Sequence, residues 1–174
     1  MIRLDNTSEQ SIITMLRDNN VLNIDQIKQI ETLSKESGKS QLETAFELNI
    51  TNDSKIAKLL SESFSIPLVS LEQVKITKGL KKYAELSYLK DNTIIPFAVE
   101  GEIIKVAIPD ASKLSLLKNI QSLTKLEPEL HAASLKDIGE FIVRLDKGDK
   151  ASVQKTEKIQ QVKKKESAVP LEVE

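Results

Sequence analysis

LLSESFSIPLVSL (residues 59–71) holds two periodicities in one short run. Leu59, Leu60 and Phe64 stand at helical spacing, with Ile56 a turn earlier. Pro67 then ends that period, because proline lacks the amide a helix interior needs, and the Pro-Leu-Val-Ser-Leu that follows reads as an extended segment whose start tolerates the missing donor. A helix running straight into a buried strand places the chain among mixed α and β domains.

On the N-terminal side of this joint the sequence reads as short helices, each with one apolar face. Thr7 with Gln10, Asn23 with Gln26 and Ser40 with Glu43 have the spacing of capping boxes, in which a short polar side chain and a residue three positions on satisfy each other's free amides. Ile12, Ile13 and Leu16 follow the first box, and Ile27, Ile30 and Leu33 the second. Gly38 is a helix stop, and a fourth helix follows ITND (50–53). Asn20 to Ile27 matches Asn49 to Ile56 in spacing, so two helical hairpins in tandem are expected.

On the C-terminal side a helix is expected over 78–88, with Leu80, Tyr83 and Ala84 inward. TIIPFAVEGEIIKVAI (93–108) reads as a hairpin turning at Glu100-Gly101. A helix on Leu114, Leu117 and Ile120, a short strand through EPELHAA (127–133), and a last helix capped by Ser134 with Ile138, Phe141, Ile142 and Leu145 inward complete the pattern. The expected fold is α+β: a helical hairpin region (1–65), a small α/β sandwich with about four strands (66–146), and a flexible linker (147–174). The linker is expected to lead toward a motor domain in a longer parent chain. Its scattered small apolar residues and alternating charges bury too little surface to repay ordering.

A chain of 174 residues, 40% of them apolar, is long enough to bury one good core. It has no cysteine, which excludes disulfides, thiolate metal sites and thiol nucleophiles. No stretch approaches the roughly 20 apolar residues of a membrane span. Residues 147–174 hold seven lysines against five acids, whereas residues 1–146 hold 18 basic against 21 acidic side chains. With aromatics at only 3% and the basic excess in the tail, nucleic-acid binding is not expected.

GKSQLETAFELNITNDSKIAKLLSESFSIPLVSL, a Tyr-containing helix, and IIPFAVEGEIIKVAIPDAS in that order resemble the N-terminal domain of the type II secretion and type IV pilus assembly ATPases. The resemblance covers residues 10–146. It rests on the hydrophobic pattern and on Pro67, Pro96, Gly101, Ala107 and Asp110, with Ala111 a departure where the family usually has Pro. It implies a noncatalytic docking and regulatory domain, cytoplasmic and peripheral to the inner membrane, that recruits a C-terminal motor to the cytoplasmic part of an inner-membrane platform protein. The alternatives are a cyclic dinucleotide sensor and a free-standing scaffold protein.

The chain's five glycines, at 38, 79, 101, 139 and 148, form no G-x-x-x-x-G-K-[ST] loop, so nothing here cradles a nucleotide triphosphate. Some relatives bind cyclic di-GMP through tandem R-L-G motifs. The corresponding positions are Ser11, Ile12, Ile13 and Ser40, Gln41, Leu42, which lack the Arg and replace the Gly with a branched side chain. Tight binding of that ligand is therefore not expected. Neither catalytic, cofactor nor metal residues are expected, and the docking surface is left unassigned. His131 reads as a surface or half-buried strand residue, Glu100 and Glu102 as solvated turn carboxylates, and Lys163, Lys164 and Lys165 as a solvated run.

Overall fold

The computed structural model describes residues 2–147. Four helices come first, α1 (Asn6–Asp18), α2 (Ile24–Ser37), α3 (Gln41–Glu47) and α4 (Asp53–Phe64). The capping boxes at Asn23/Gln26 and Ser40/Glu43 both form, and Gly38 ends α2 in the left-handed conformation at φ 70°. At α1 the cap is Asp5 rather than Thr7, its carboxylate accepting from the Ser8 amide at 2.8 Å. A carboxylate there answers the positive end of the helix dipole and also reaches the Lys113 ammonium at 3.4 Å, which a threonine hydroxyl at residue 7 does not offer.

The tandem repeat is physical. Asn20 and Asn49 both sit in the left-handed region (φ 58° and 54°), which asparagine tolerates better than most side chains. In each case the next amide reaches back five residues, Val21 to the Leu16 carbonyl (2.8 Å) and Ile50 to that of Ala45 (3.1 Å). Asn23 and Asn52 then cap the following helices in the same way.

At the joint, Ser65 adopts φ 52° and closes α4, and Leu68 pairs with Ala132 as a single parallel bridge. The expected strand goes no further because the last helix captures the backbone beyond it. The Leu71 amide donates to the Asp137 carboxylate at 2.9 Å, and Arg144 donates to the carbonyls of Leu71 and Val74. Among the described residues three full strands remain: β1 (Ile95–Glu100), β2 (Ile103–Ile108) and β3 (Glu127–Ala132), in the order β1-β2-β3. β1 and β2 are antiparallel around Gly101 (φ 62°), while β2 and β3 are parallel. Pro96 lies on the edge strand, where its missing amide removes no ladder bond, next to a register shift between Pro96 and Ala98.

The helix expected over 78–88 is two, α5 (Lys78–Ala84) and α6 (Ser87–Asp91). After β2 a 3-10 turn (Ala111–Leu116) leads into α7 (Leu117–Thr124), the crossover to β3, and α8 (Leu135–Lys147) follows. Side chains alternate across β2. Ile104, Val106 and Ile108 meet Ile12, Leu16, Ile30, Leu42, Ile56 and Leu60 of the helical region in one buried cluster. Ala107 joins Ile95, Leu71, Leu80, Ile138 and Phe141 in a second. The helical region and one face of the sheet thus share a core, and α5 and α8 belong to the cluster on the other face.

Helix α8 is tied from several directions. Both carboxylate oxygens of Asp53, the first residue of α4, accept from its opening amides, Leu135 at 2.7 Å and Lys136 at 2.8 Å. Ser134 Oγ accepts from Asp137 at 3.0 Å, as the sequence led one to expect, and Lys90 pairs with Asp146 at 3.2 Å. Ile2 lies so close to Gly139 that a Cβ there would stand 2.9 Å from its Cγ2.

Candidate functional site

The two motif-equivalent positions are built into the scaffold. Ile12, Ile13 and Leu42 are buried, and Ser40 is committed to its capping box. The Leu42 amide, one of the free donors at the start of α3, is taken by the Glu9 carboxylate at 3.0 Å. Branched side chains in the core and a carboxylate on the Leu42 amide leave no guanidinium for a phosphate at either position.

Of the six, Ser11 lines a cleft of about 420 Å³. One side is a face of α1, with Ser11, Thr14 and Asp18 at helical spacing beside Gln10, Met15 and Asn19; the other is Ser63 and Phe64 at the end of α4, with Ala111. The Asn19 Nδ2 donates to the Met15 carbonyl at 2.9 Å, which leaves its side-chain oxygen as an acceptor, and Asp18 is paired with Arg17 at 2.9 Å. The sequence places Phe64 on the inward stripe of α4, but the structure leaves it 41% exposed at this cleft, because the left-handed Ser65 turns the chain away before another layer covers the ring. The arrangement is an apolar ring edged by hydroxyl, amide and carboxylate groups. It suits a flat heterocycle with its own donors and offers no acid-base pair. A second cleft of about 320 Å³ lies between α2 and α3, lined by Leu33, Glu36, Ser37, Thr44, Glu47 and Leu48.

The remaining residues singled out in the sequence are scattered. His131 is half-buried, its Nε2 2.7 Å from Glu129 and its ring edge-on to Phe97 at 5.0 Å. Glu100 pairs with Lys105 at 2.9 Å, which raises the lysine's pKa, while Glu102 stays in the exposed turn. Lys163, Lys164 and Lys165 lie outside the described residues. Among the described residues no group of three or more His, Asp or Glu is placed to hold a metal ion.

Lys113 has no signal in the sequence. Its side chain is only 4% exposed and its ammonium meets Asp5, whose carboxyl is held below its ordinary value by the Ser8 amide first and by Lys113 next, against the opposing effect of burial. Asp110 is fully buried. One oxygen caps the 3-10 turn through Ser112 at 2.8 Å, and the other finds no partner among the described residues.

The fold is a layer of helical hairpins on a small mixed sheet, with a polar cleft between α1 and the end of α4. The model of the MshEN domain matches residues 64–152, and the chain belongs to that family. A type IV pilus assembly ATPase, PilB of Thermus thermophilus, is 27% identical over 116 residues, which cover 66% of this chain and 13% of PilB. The chain therefore spans a small part of that relative's length. Two solved structures share the fold. One, of MshE with cdg, has a TM-score of 0.57 at 15% identity and covers 77% of this chain and 97% of its own. The other, the N-terminal domain of XpsE, has a TM-score of 0.51 at 20% identity and covers 83% and 98%. Full-length members of the family are ATPases, and this domain is their noncatalytic N-terminal part. No described helix is long and apolar enough to cross a membrane.

Proposed function

We propose that this chain is a regulatory domain of a secretion or pilus motor and that its helical region takes a cyclic dinucleotide in the cleft between α1 and the end of α4. The observation that carries the reading is the exposed Phe64 ring set among the polar groups of α1 in a fold shared with MshE, which was solved with cdg, read here as cyclic di-GMP. A base stacked on an aromatic ring gains about 1–3 kcal/mol. The Asp18 carboxylate and the Asn19 amide offer acceptors for the donor edge of a guanine. The phosphates meet no arginine at Ser11, so the affinity is weak. Calorimetric titration of cyclic di-GMP into the chain tests this. Phe64→Ala is expected to weaken binding about tenfold, and the absence of heat at millimolar ligand, or indifference to Phe64→Ala, overturns it.

A second reading is recruitment of the motor to the cytoplasmic part of an inner-membrane platform protein, which places the domain on the cytoplasmic side of that membrane. Leu68, Leu123 and Val143 favour it, since they are large apolar side chains left exposed on the α/β part and interface cores are depleted in charge. A nucleotide-free titration of platform domains encoded in the same genome checks it. Failure of every platform domain to bind this chain, while a form carrying the motor binds, removes it.

A further inference from the structure

β1 begins and ends in opposite electrostatic surroundings. Near its start, Ile95 shares a buried cluster with Leu80 and Ala84 of α5, whose outer side and approach carry Lys75, Lys78, Lys81 and Lys82. Of these, Lys81 is paired with Glu85 and Lys82 lies over the Tyr83 ring, while no salt bridge to Lys75 or Lys78 is found among the described residues. At the other end of β1, about 17 Å away, the hairpin tip carries Glu100 and Glu102. The parallel register sets Glu127 and Glu129 of β3 beside them, opposite Ile103 and Lys105. These four carboxylates exceed Lys105 and Lys125; Ile103, an exposed large apolar side chain, shares a face with its register partners Glu100 and Glu127, while Val99, also exposed, lies on the opposite face of the hairpin. The lysine end has an apolar component of its own in the half-buried Val74, Ile76 and Tyr83.

We propose that the acidic hairpin tip of one copy of this chain docks on the lysine-bearing α5 surface of a second copy. The occupant follows from charge complementarity. Each end presents charge of the sign opposite to the other's beside exposed or half-buried apolar side chains, and a lysine stem covers apolar surface while its ammonium reaches a carboxylate. Because the two surfaces differ, the contact is heterologous and propagates head to tail, closing into a ring or extending as a filament according to the rotation between copies. Exposed ion pairs are worth about 0–1 kcal/mol each, so the association is weak and salt-sensitive.

Sedimentation velocity of the full chain tests it, at about 0.01 M salt, where the Debye length is about 30 Å, and at about 1 M, where it is about 3 Å. The weight-average mass is expected to rise with concentration from 19.4 kDa to at least double that at low salt, and to return to 19.4 kDa at high salt. Glu102→Lys with Glu127→Lys, and separately Lys78→Glu with Lys82→Glu, should each abolish the rise. An equimolar mixture of the two charge-reversed forms should restore it, because each then presents the sign the other needs. All four positions are exposed, so the far-ultraviolet circular dichroism of both forms stays that of the parent. A mass of 19.4 kDa throughout, or a mixture that fails to associate, overturns the proposal. Overturning it equally is a chain that stays monomeric but binds anionic phosphatidylserine vesicles through Lys78 and Lys82, which would give the lysines to a lipid surface.

Discussion

Replacing Asp53 with alanine removes two acceptors from the start of α8 at once. The amides of Leu135 and Lys136 lose bonds of 2.7 and 2.8 Å to a carboxylate. Bonds to a charged group contribute about 1.5–3 kcal/mol each when the donor has no alternative. Leu135 is buried and Lys136 exposed, so water replaces the second bond far better than the first. A cost of about 2–3 kcal/mol results, including the favourable placement of a carboxylate at the positive ends of both α4 and α8. For a domain of this size that lowers the melting temperature by about 4–12 °C. Asp53→Asn keeps one side-chain acceptor without the charge and should lose about half as much. Urea unfolding followed by circular dichroism measures both, with the slope unchanged if only the native state is affected. Amide exchange at residues 135 and 136 should quicken before the rest of α8. A loss below about 0.5 kcal/mol for Asp53→Ala refutes the assignment, since surface substitutions without a structural role stay within that range.

The contact of Ile2 with Gly139 makes a coupled pair: Gly139→Ala alone is expected to destabilise or be neutral, whereas in an Ile2→Ala background it should stabilise by about 1 kcal/mol through helix propensity, a difference read from a double-mutant cycle by chemical denaturation. Asp5 has its folded pKa lowered, so its contribution is present above its ordinary value of 3.8 and fades as pH falls through the folded value. The stability gap between the protein and Asp5→Asn should accordingly be constant near neutral pH and shrink in the acid range, and a gap that widens on acidification contradicts the capping role.

Local chemistry was legible where a few neighbouring residues decide it. The boxes at Asn23 and Ser40, the stop at Gly38, the hairpin about Gly101 and the joint at Pro67 all follow from short-range rules, and the order of elements carried the family resemblance. What escaped the sequence depends on partners far along the chain. The helix expected over 78–88 gives way to two once the apolar side chains are sorted by destination: Leu80 and Ala84 enter one buried cluster and Leu89, just beyond, the other, which a single straight helix cannot serve. The segment after Leu68 has strand character, but α8 supplies Asp137 and Arg144 to its backbone and withdraws it from the sheet. Lys113 reads as a surface residue because its partner, Asp5, stands at the other end of the chain. The cleft beside Ser11 is assembled from α1, the end of α4 and Ala111, and no local pattern announces that Phe64 is left uncovered there.

The fastening of α8 also has a mechanical meaning. Tension applied to the chain beyond Lys147 enters the fold through this helix, which hangs from attachments in order along its length: Asp146 to Lys90, Arg144 to the carbonyls of residues 71 and 74, Gly139 against Ile2, and the Asp53 clamp at the far end. A load from that side meets them one after another, like a zip opened from its C-terminal end, and not together as across strands pulled in shear. The first to give is a single exposed ion pair and the last a pair of charge-assisted bonds. Force applied from the C-terminal side is therefore expected to reach these polar attachments in that order, and the helical region last.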